Sequence, residues 1–400
     1  MLLFTPGPTP IPESIRQAMA TPTLHHRTKE FEEIFAKARW GLKTMLKMPE
    51  VLMLASSGTG AMEASILQFC SAKLLSINCG KFGERWGKIA AANSIPYVEI
   101  TREWNTPVEV EDVLQELKND TSIDVVALQV CESAGGMRLK AEEIAKSIKA
   151  YNKNIVVIAD AITAMGVEPL DTTNIDVLIG GSQKAFMLPP GMSILGLSEY
   201  ALTIIQDSKS HKKYRNGLYF NLAIELNNQR KNTTAWTAPT TIISGLVKYF
   251  EIIQALGEGM ELDSALICQN LPNSLEKNRL ESGFAYAYNH TAKLALATRE
   301  AIRELDLKVY PKTPALAMST IEHKEQAAKI RQCMKTYGVN VAAGQDHIKE
   351  QIFRINHMGL VRVYEASFVV NALELSLNAL GIRAFDGRGG ATFLRTFYAL

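Results

Sequence analysis

The sequence predicts an α/β fold: a large, mostly parallel sheet covered by helices on both faces, followed by a smaller α+β part. Three observations predict it. From about residue 50, short apolar runs alternate with segments of helical periodicity. The runs are apolar throughout, as strands buried on both faces require. In the last third the rhythm changes to longer helical patterns separated by isolated strand-like runs.

In order, "VLMLA" (51–55) reads as the first strand, and "GAMEASILQFC" as a helix with Met62, Ile66 and Phe69 on one face. Then come the strand "KLLSIN" (73–78), a helix over about 83–93, the strand "PYVEI" and an acidic helix over about 109–118. "DVVALQV" (124–130), the helix "AEEIAKSIKA", "IVVIAD" (155–160), "IDVLIGG" and "GMSILGLS" continue the alternation. Beyond them a helix is expected over about 292–305, a strand near "LAMST", a helix over about 325–336, the strands "VNVAAG" and "IFRINH", and a final helix. In that helix Val369, Leu373, Leu377 and Leu380 form a core stripe. The expected division is a large domain over 15–250 and a small one over 251–400, with residues 1–14 near their junction.

The composition bounds the function. Apolar residues make up 47% and charged residues 21%, ordinary for a globular enzyme, and 43 basic residues nearly balance 41 acidic ones. That balance points away from nucleic acid and from anionic membranes. The five cysteines, at 70, 79, 131, 268 and 333, show no C-x-x-C pairing or zinc-like spacing, and suit a reducing cytoplasm. No metal site is expected. The start, "MLLFTPGPTPIPES", does not read as a signal peptide, and no apolar stretch approaches the ~20 residues that span a bilayer.

Four polar features fall at strand ends, where ligands of open α/β sheets gather. "SSGTGAMEA" is a small-residue turn opening a helix; Ser57, Gly58, Thr59 and Gly60 would surround a phosphate there, although an empty helix cap explains the turn alone. Asp160 closes a very apolar run, where a carboxylate needs a positive partner unless it only caps a helix. "VCESAGG" brings Glu132 and Ser133 to the same edge. In "GGSQKAFMLPPG", Lys184 stands alone among small and apolar residues. It is either a snorkelling side chain or an amine kept as a nucleophile. Together a lysine, an acid and a helix N-terminus are what pyridoxal phosphate requires.

In "TPGPTPIPE", "HHRTKEFEE", "SSGTGAMEA", "CGKFGERW", "IADAITAMG", "GGSQKAFMLPPG" and "FRINHMG" the chain resembles the class V aminotransferases of the alanine–glyoxylate and serine–pyruvate type, over nearly its whole length. The resemblance implies the aspartate-aminotransferase-like fold (fold type I), with a seven-stranded sheet, and pyridoxal 5′-phosphate as cofactor. It implies that Lys184 attaches the cofactor as a Schiff base and shuttles the proton, and that Asp160 pairs with the pyridinium nitrogen. Phe82 would stack on the ring, with Trp86 as a rival better placed in the core. Gly58, Thr59 and Gln183 would contact the phosphate and Ser133 the ring. Thr237 would reach the phosphate from the partner of a homodimer, while Gly7 and Arg354 would face the substrate, the arginine as a bidentate fork for its carboxylate.

The chain departs from the family at several points. The usual Glu-Thr/Ser-Ser-Thr-Gly is Glu132-Ser133-Ala134-Gly135-Gly136, and Asn356 stands where glycine is common. Residues 262–288 interrupt the family's helices and are expected to form a surface loop, and residues 381–400 a docking tail. The implied reaction moves an amino group from alanine or serine to a small 2-oxo acid, glyoxylate or pyruvate. Alternatives are phosphoserine aminotransferase, with His26 and Arg27 meeting a phosphate, and a lyase or desulfurase, whose chemistry needs a mobile-loop cysteine whereas Cys333 falls in a helical pattern and Cys131 at a strand end. A non-enzymatic, hydrogenase-associated subunit is the remaining one.

Overall fold

The structure, a computed structural model of the chain, describes residues 1–207 and 217–400. The chain opens with β1 (Leu2–Phe4), α1 (Glu13–Met19) and α2 (Lys29–Leu46). It then runs β2 (Glu50–Leu54), α3 (Gly58–Phe69), β3 (Lys73–Asn78), α4 (Glu84–Ala92), β4 (Tyr97–Thr101), α5 (Val110–Asn119) and β5 (Ile123–Gln129). After the hairpin β6 (Cys131–Glu132) and β7 (Met137–Arg138) follow α6 (Ala141–Tyr151), β8 (Val156–Asp160), β9 (Val177–Gly181), β10 (Ser193–Leu197) and α7 (Glu199–Gln206). Seven of these strands form one sheet in the order β2-β10-β9-β8-β5-β3-β4, with β10 antiparallel to both neighbours and the other contacts parallel. The expected large sheet is present. Every residue of the central strands β8, β9 and β10 is buried, and so is every residue of the edge strand β2, whereas the opposite edge strand β4 alternates with solvent.

Local chemistry sets the helix starts. The Thr28 side chain accepts from Phe31 N–H at the head of α2, and the Ser198 side chain from Ala201 N–H at the head of α7. The first turn of α3 has no side-chain cap, and this open end becomes part of the site.

The remainder holds α8 (Leu222–Gln229), α9 (Thr240–Gly257), α10 (Leu262–Ile267), α11 (Lys277–Glu304), β11 (Lys308–Val309), β12 (Met318–Glu322), α12 (Ala327–Thr336), β13 (Val339–Ala343), β14 (Ile352–Asn356), α13 (Val363–Ala379) and α14 (Arg388–Ala399). A second sheet has the order β1-β13-β14-β12-β11, so the N-terminal strand joins the C-terminal sheet. The surface loop expected at 262–288 is a correction: this segment holds α10 and the first turns of α11, a helix of 28 residues rather than one starting near 292. The physical reason is burial. Leu280, Phe284 and Ala287 recur at helical spacing and enter the core, and Leu262, Ala265 and Leu266 do the same from α10. Helices α9 and α11 cross on Gly257 and Gly283; a Cβ on Gly283 would lie 1.8 Å from the Ile253 carbonyl oxygen.

Two apolar clusters cover the faces of the large sheet and a third fills the small one. Residues 250 and 251 lie inside α9, and the packing passes from the first cluster to the third along α11, between Ala287 and Leu294. The tail docks as α14, burying Phe393 and Phe397 in the third cluster. Its loop gives the buried Glu374 carboxylate the N–H groups of Asp386, Gly387 and Gly389 and the Arg383 guanidinium.

Candidate active site

Strand β9 ends at Gly181, and Lys184 lies in the tight loop that leads to β10. Ser182 closes that loop, its N–H on Met192 O at 3.0 Å and its hydroxyl donating to Pro189 O at 2.6 Å. The segment after β1 crosses over the lysine. The Thr9 hydroxyl donates to Lys184 O at 2.7 Å, Thr9 N–H reaches Gln183 O, and the Lys184 amine donates to Pro6 O. Gly7 must be glycine here: its φ is +120°, and a Cβ would lie 2.7 Å from Lys184 Cδ. Burial lowers the lysine pKa to about 8, aided by the nearby Arg354 cation and opposed by Cys131, Asp160 and Glu132.

Asp160 ends β8, one strand away, with only 4% of its surface exposed. Its Oδ1 accepts from Ile162 N–H at 2.9 Å, and Oδ2 has no hydrogen bond among the described residues. Burial raises its pKa to about 6, against the opposing pull of the Ile162 bond, Lys184 and Arg85. Glu132 is fully buried; Oε2 accepts from Phe82 N–H (3.0 Å) and Gly83 N–H (2.9 Å), and Oε1 from Ala134 N–H (2.9 Å). Burial outweighs these three bonds and lifts its pKa to about 7. This carboxylate therefore fixes the loop that carries Phe82.

A cavity of about 290 Å³ opens here, with Glu132 behind its wall and not on it. Lys184, Asp160, Ser57, Gly58 and Thr59 line it, and Gly7, Phe82, Ser133 and Gln183 complete the expected wall. The N–H groups of Gly58 and Thr59 have no acceptor among the described residues, because Ser57 does not cap the helix. Gly58 is also required by packing, since a Cβ would strike Ile162 Cδ1 at 2.1 Å. Trp86 is wholly buried in the cluster behind the sheet.

Gly60, Thr237 and Arg354 do not line this cavity. Gly60 faces Phe220 and Ser56. Thr237 is exposed, beside Tyr219, Phe220 and Trp236 in a separate small cleft. Arg354, in β14, lies behind Ser133: Nη1 donates to Ser133 O, and Nε and Nη2 donate to Ala343 O. Three of its five N–H groups are used, leaving one on each terminal nitrogen. His26 and Arg27 lie outside the cavity wall; Cys131 is part of it, with burial pushing its thiol pKa far up. Among the described residues no three His, Cys, Asp or Glu side chains gather as a metal site.

Sequence reasoning missed Arg85, Ile162, Thr163 and Pro8 on the wall. The signal for Arg85 was its place three residues after Phe82, across one helical turn. Of the departures from the family, Gly135 has a steric cause, while Gly136 stands where the family also has glycine. A Cβ on Gly135 would come within 2.3 Å of the Trp104 carbonyl oxygen, and one on Gly136 (φ +74°) within 2.2 Å of Thr320 Oγ1. Asn356 bonds both polar groups of Met358, holding the turn that follows β14.

The residues present fit pyridoxal phosphate. A half-buried amine of lowered pKa, a buried carboxylate with one unused oxygen and a helix start with unmet N–H groups share one cavity. A family model described as "Aminotransferase class-V" matches residues 2–374. The chain is 48% identical to an uncharacterized aminotransferase of Helicobacter pylori (strain ATCC 700392 / 26695) over 100% of both proteins. It is 25% identical to a serine–glyoxylate aminotransferase of Methylorubrum extorquens, over 97% of this chain and 94% of that protein. The crystal structure of an aspartate aminotransferase of subgroup IV from Thermus thermophilus superposes with a TM-score of 0.78 at 27% identity, covering 95% of this chain and 99% of that one. With this site on a fold type I scaffold, the chain belongs to the class V aminotransferases, whose cofactor is pyridoxal 5′-phosphate and whose substrates are amino acids and 2-oxo acids.

Proposed function

We propose that the enzyme moves an amino group from alanine or serine to a small 2-oxo acid, glyoxylate or pyruvate, in two half-reactions at one site. The observation that carries this reading is the 290 Å³ cavity in which Lys184, Asp160 and the open end of α3 meet. The similarity to a serine–glyoxylate aminotransferase supports the same donor class. We place the enzyme in the cytoplasm as a homodimer; no described helix is long and apolar enough to cross a membrane.

Bound pyridoxal phosphate supplies an electron sink for the bond broken at the substrate Cα. The chain's own groups do the rest. Lys184 provides the attaching amine and afterwards, with its pKa lowered toward the working range, takes and returns the Cα proton. Asp160 holds a proton on the ring nitrogen through its unused oxygen. Gly58, Thr59, Ser57 and Gln183 would receive the phosphate, and Phe82 and Ser133 would bound the ring. Arg354, behind Ser133, keeps one N–H free on each terminal nitrogen, and these would grip the substrate carboxylate.

The test is borohydride reduction and peptide mapping of the coloured protein, followed by single-turnover spectra with a panel of amino acids. The label is expected on Lys184, and alanine and serine are expected to bleach the bound cofactor faster than aspartate or phosphoserine. A label on another lysine overturns the site, and faster bleaching by aspartate overturns the donor class. Asp160→Asn is expected to slow the half-reaction about 10²–10³-fold.

A further inference from the structure

Arg85 stands in the first turn of α4 and lines the cavity together with Lys184, yet forms no ion pair among the described residues. It makes two contacts at once. Its guanidinium carbon lies 4.7 Å from the centroid of the Phe82 ring, and Nη1 donates to Thr59 Oγ1 at 2.9 Å. A guanidinium only donates, so the threonine oxygen is the acceptor in that bond. The hydroxyl hydrogen of Thr59 is therefore left to be given to another group, and a phosphate offers only acceptors. The backbone at Phe82 is already pinned by Glu132, which accepts from the N–H groups of Phe82 and Gly83. With Arg85 over one face, the ring has its other face to offer, and it cannot swing without giving up the cation.

We propose that Arg85 is a positioning residue that aligns the ring-stacking and phosphate-binding groups together, clamping Phe82 and turning the Thr59 hydroxyl hydrogen toward the phosphate. The inference rests on the reading that this cavity takes pyridoxal phosphate with its phosphate at the start of α3. Arg85 acts through Thr59 and Phe82 and needs no contact of its own with the substrate.

The experiment titrates the cofactor-free wild type, Arg85→Gln, Arg85→Lys, Thr59→Val and the double variant Arg85→Gln/Thr59→Val. The probes are pyridoxal phosphate and pyridoxal, which lacks the phosphate, and thermal unfolding without cofactor checks each fold. Losing a hydrogen bond that carries charge is expected to weaken pyridoxal phosphate about 10- to 100-fold in Arg85→Gln and in Thr59→Val. The double variant is expected to bind more weakly than either single variant but by less than the product of their losses, since both changes remove the Arg85–Thr59 bond while only the Arg85 change also frees Phe82. Pyridoxal is expected to lose much less, and the absorbance maximum of the bound cofactor to shift in Arg85→Gln as Phe82 loosens. Arg85→Lys, which keeps the charge without the fork, is expected to fall between and serves if the glutamine variant unfolds. Unchanged affinity and spectrum in the Arg85 variants, or losses that multiply in the double variant, overturn the inference while leaving the site reading intact. A wild type that takes up no cofactor at Lys184 overturns both.

Discussion

At the scale of single residues, the site is a set of charges placed where water would otherwise carry them. Asp160 and Glu132 are held above the usual carboxylate range, near 6 and 7, and Lys184 near 8, below the usual 10.5, in each case by burial first. The signs give opposite pH dependences. Between about pH 4 and 7 the folded chain holds protons on the two acids that the unfolded chain has lost, so stability falls as pH rises through that window. Between about pH 8 and 10.5 the unfolded chain holds a proton that folded Lys184 has lost, so stability rises. The measurement is unfolding of the cofactor-free protein beside Lys184→Met across pH 5–11. The wild type is expected to gain on the variant from pH 8 upward and to run parallel to it below. A constant difference between pH 7 and 10.5 would show that the fold leaves the lysine unperturbed.

At the scale of elements, α9 and α11 show how closely two helices approach when glycine removes the side chain. Cβ atoms built on Gly257 and Gly283 would lie 2.0 Å and 1.8 Å from carbonyl oxygens of the facing helix. Those atoms are backbone and cannot swing aside. Gly283→Ala therefore pushes the helices apart, and Leu280, Phe284 and Ala287 lose contact with the core of the large sheet. The expected loss is roughly 1–3 kcal/mol despite the better helix propensity of alanine, read as a lower urea midpoint at unchanged slope. A midpoint that rises would mean that propensity, and not packing, governs this helix.

At the scale of the whole molecule, Thr237 is the residue whose position asks for a second copy. It is exposed and lines no part of the Lys184 cavity of its own chain. The proposed homodimer gives it a task at the partner's phosphate. Thr237→Ala is then expected to weaken cofactor binding about tenfold, the loss of one hydrogen bond to a charged group. Mixing Thr237→Ala with Lys184→Ala subunits is expected to restore wild-type affinity at one site per mixed dimer, the site that joins an intact Lys184 to an intact Thr237. Equilibrium titration of the mixture checks this, and no recovery, or a monomer in sedimentation that binds cofactor fully, rules the shared site out.

The sequence by itself determined the strand order of use, the chemistry and most of the cavity wall, because these depend on local patterns. A strand buried on both faces must be apolar throughout, and the lysine, the acid and the helix start stand at the ends of such runs. The fold type and the cofactor were legible in the same motifs. Only the tertiary structure decided which residues meet across the sequence. Gly7 lies against Lys184 because β1 pairs with β13, more than 300 positions away. Arg354 is committed to Ser133 and Ala343 carbonyls, and Arg85 to Thr59, through contacts that no spacing encodes. The segment 262–288 looked like a loop because its helical face is short and broken by glycine and polar residues. Burial against α9 makes it helix, since an apolar stripe too weak to fold alone is stabilised by the surface it covers.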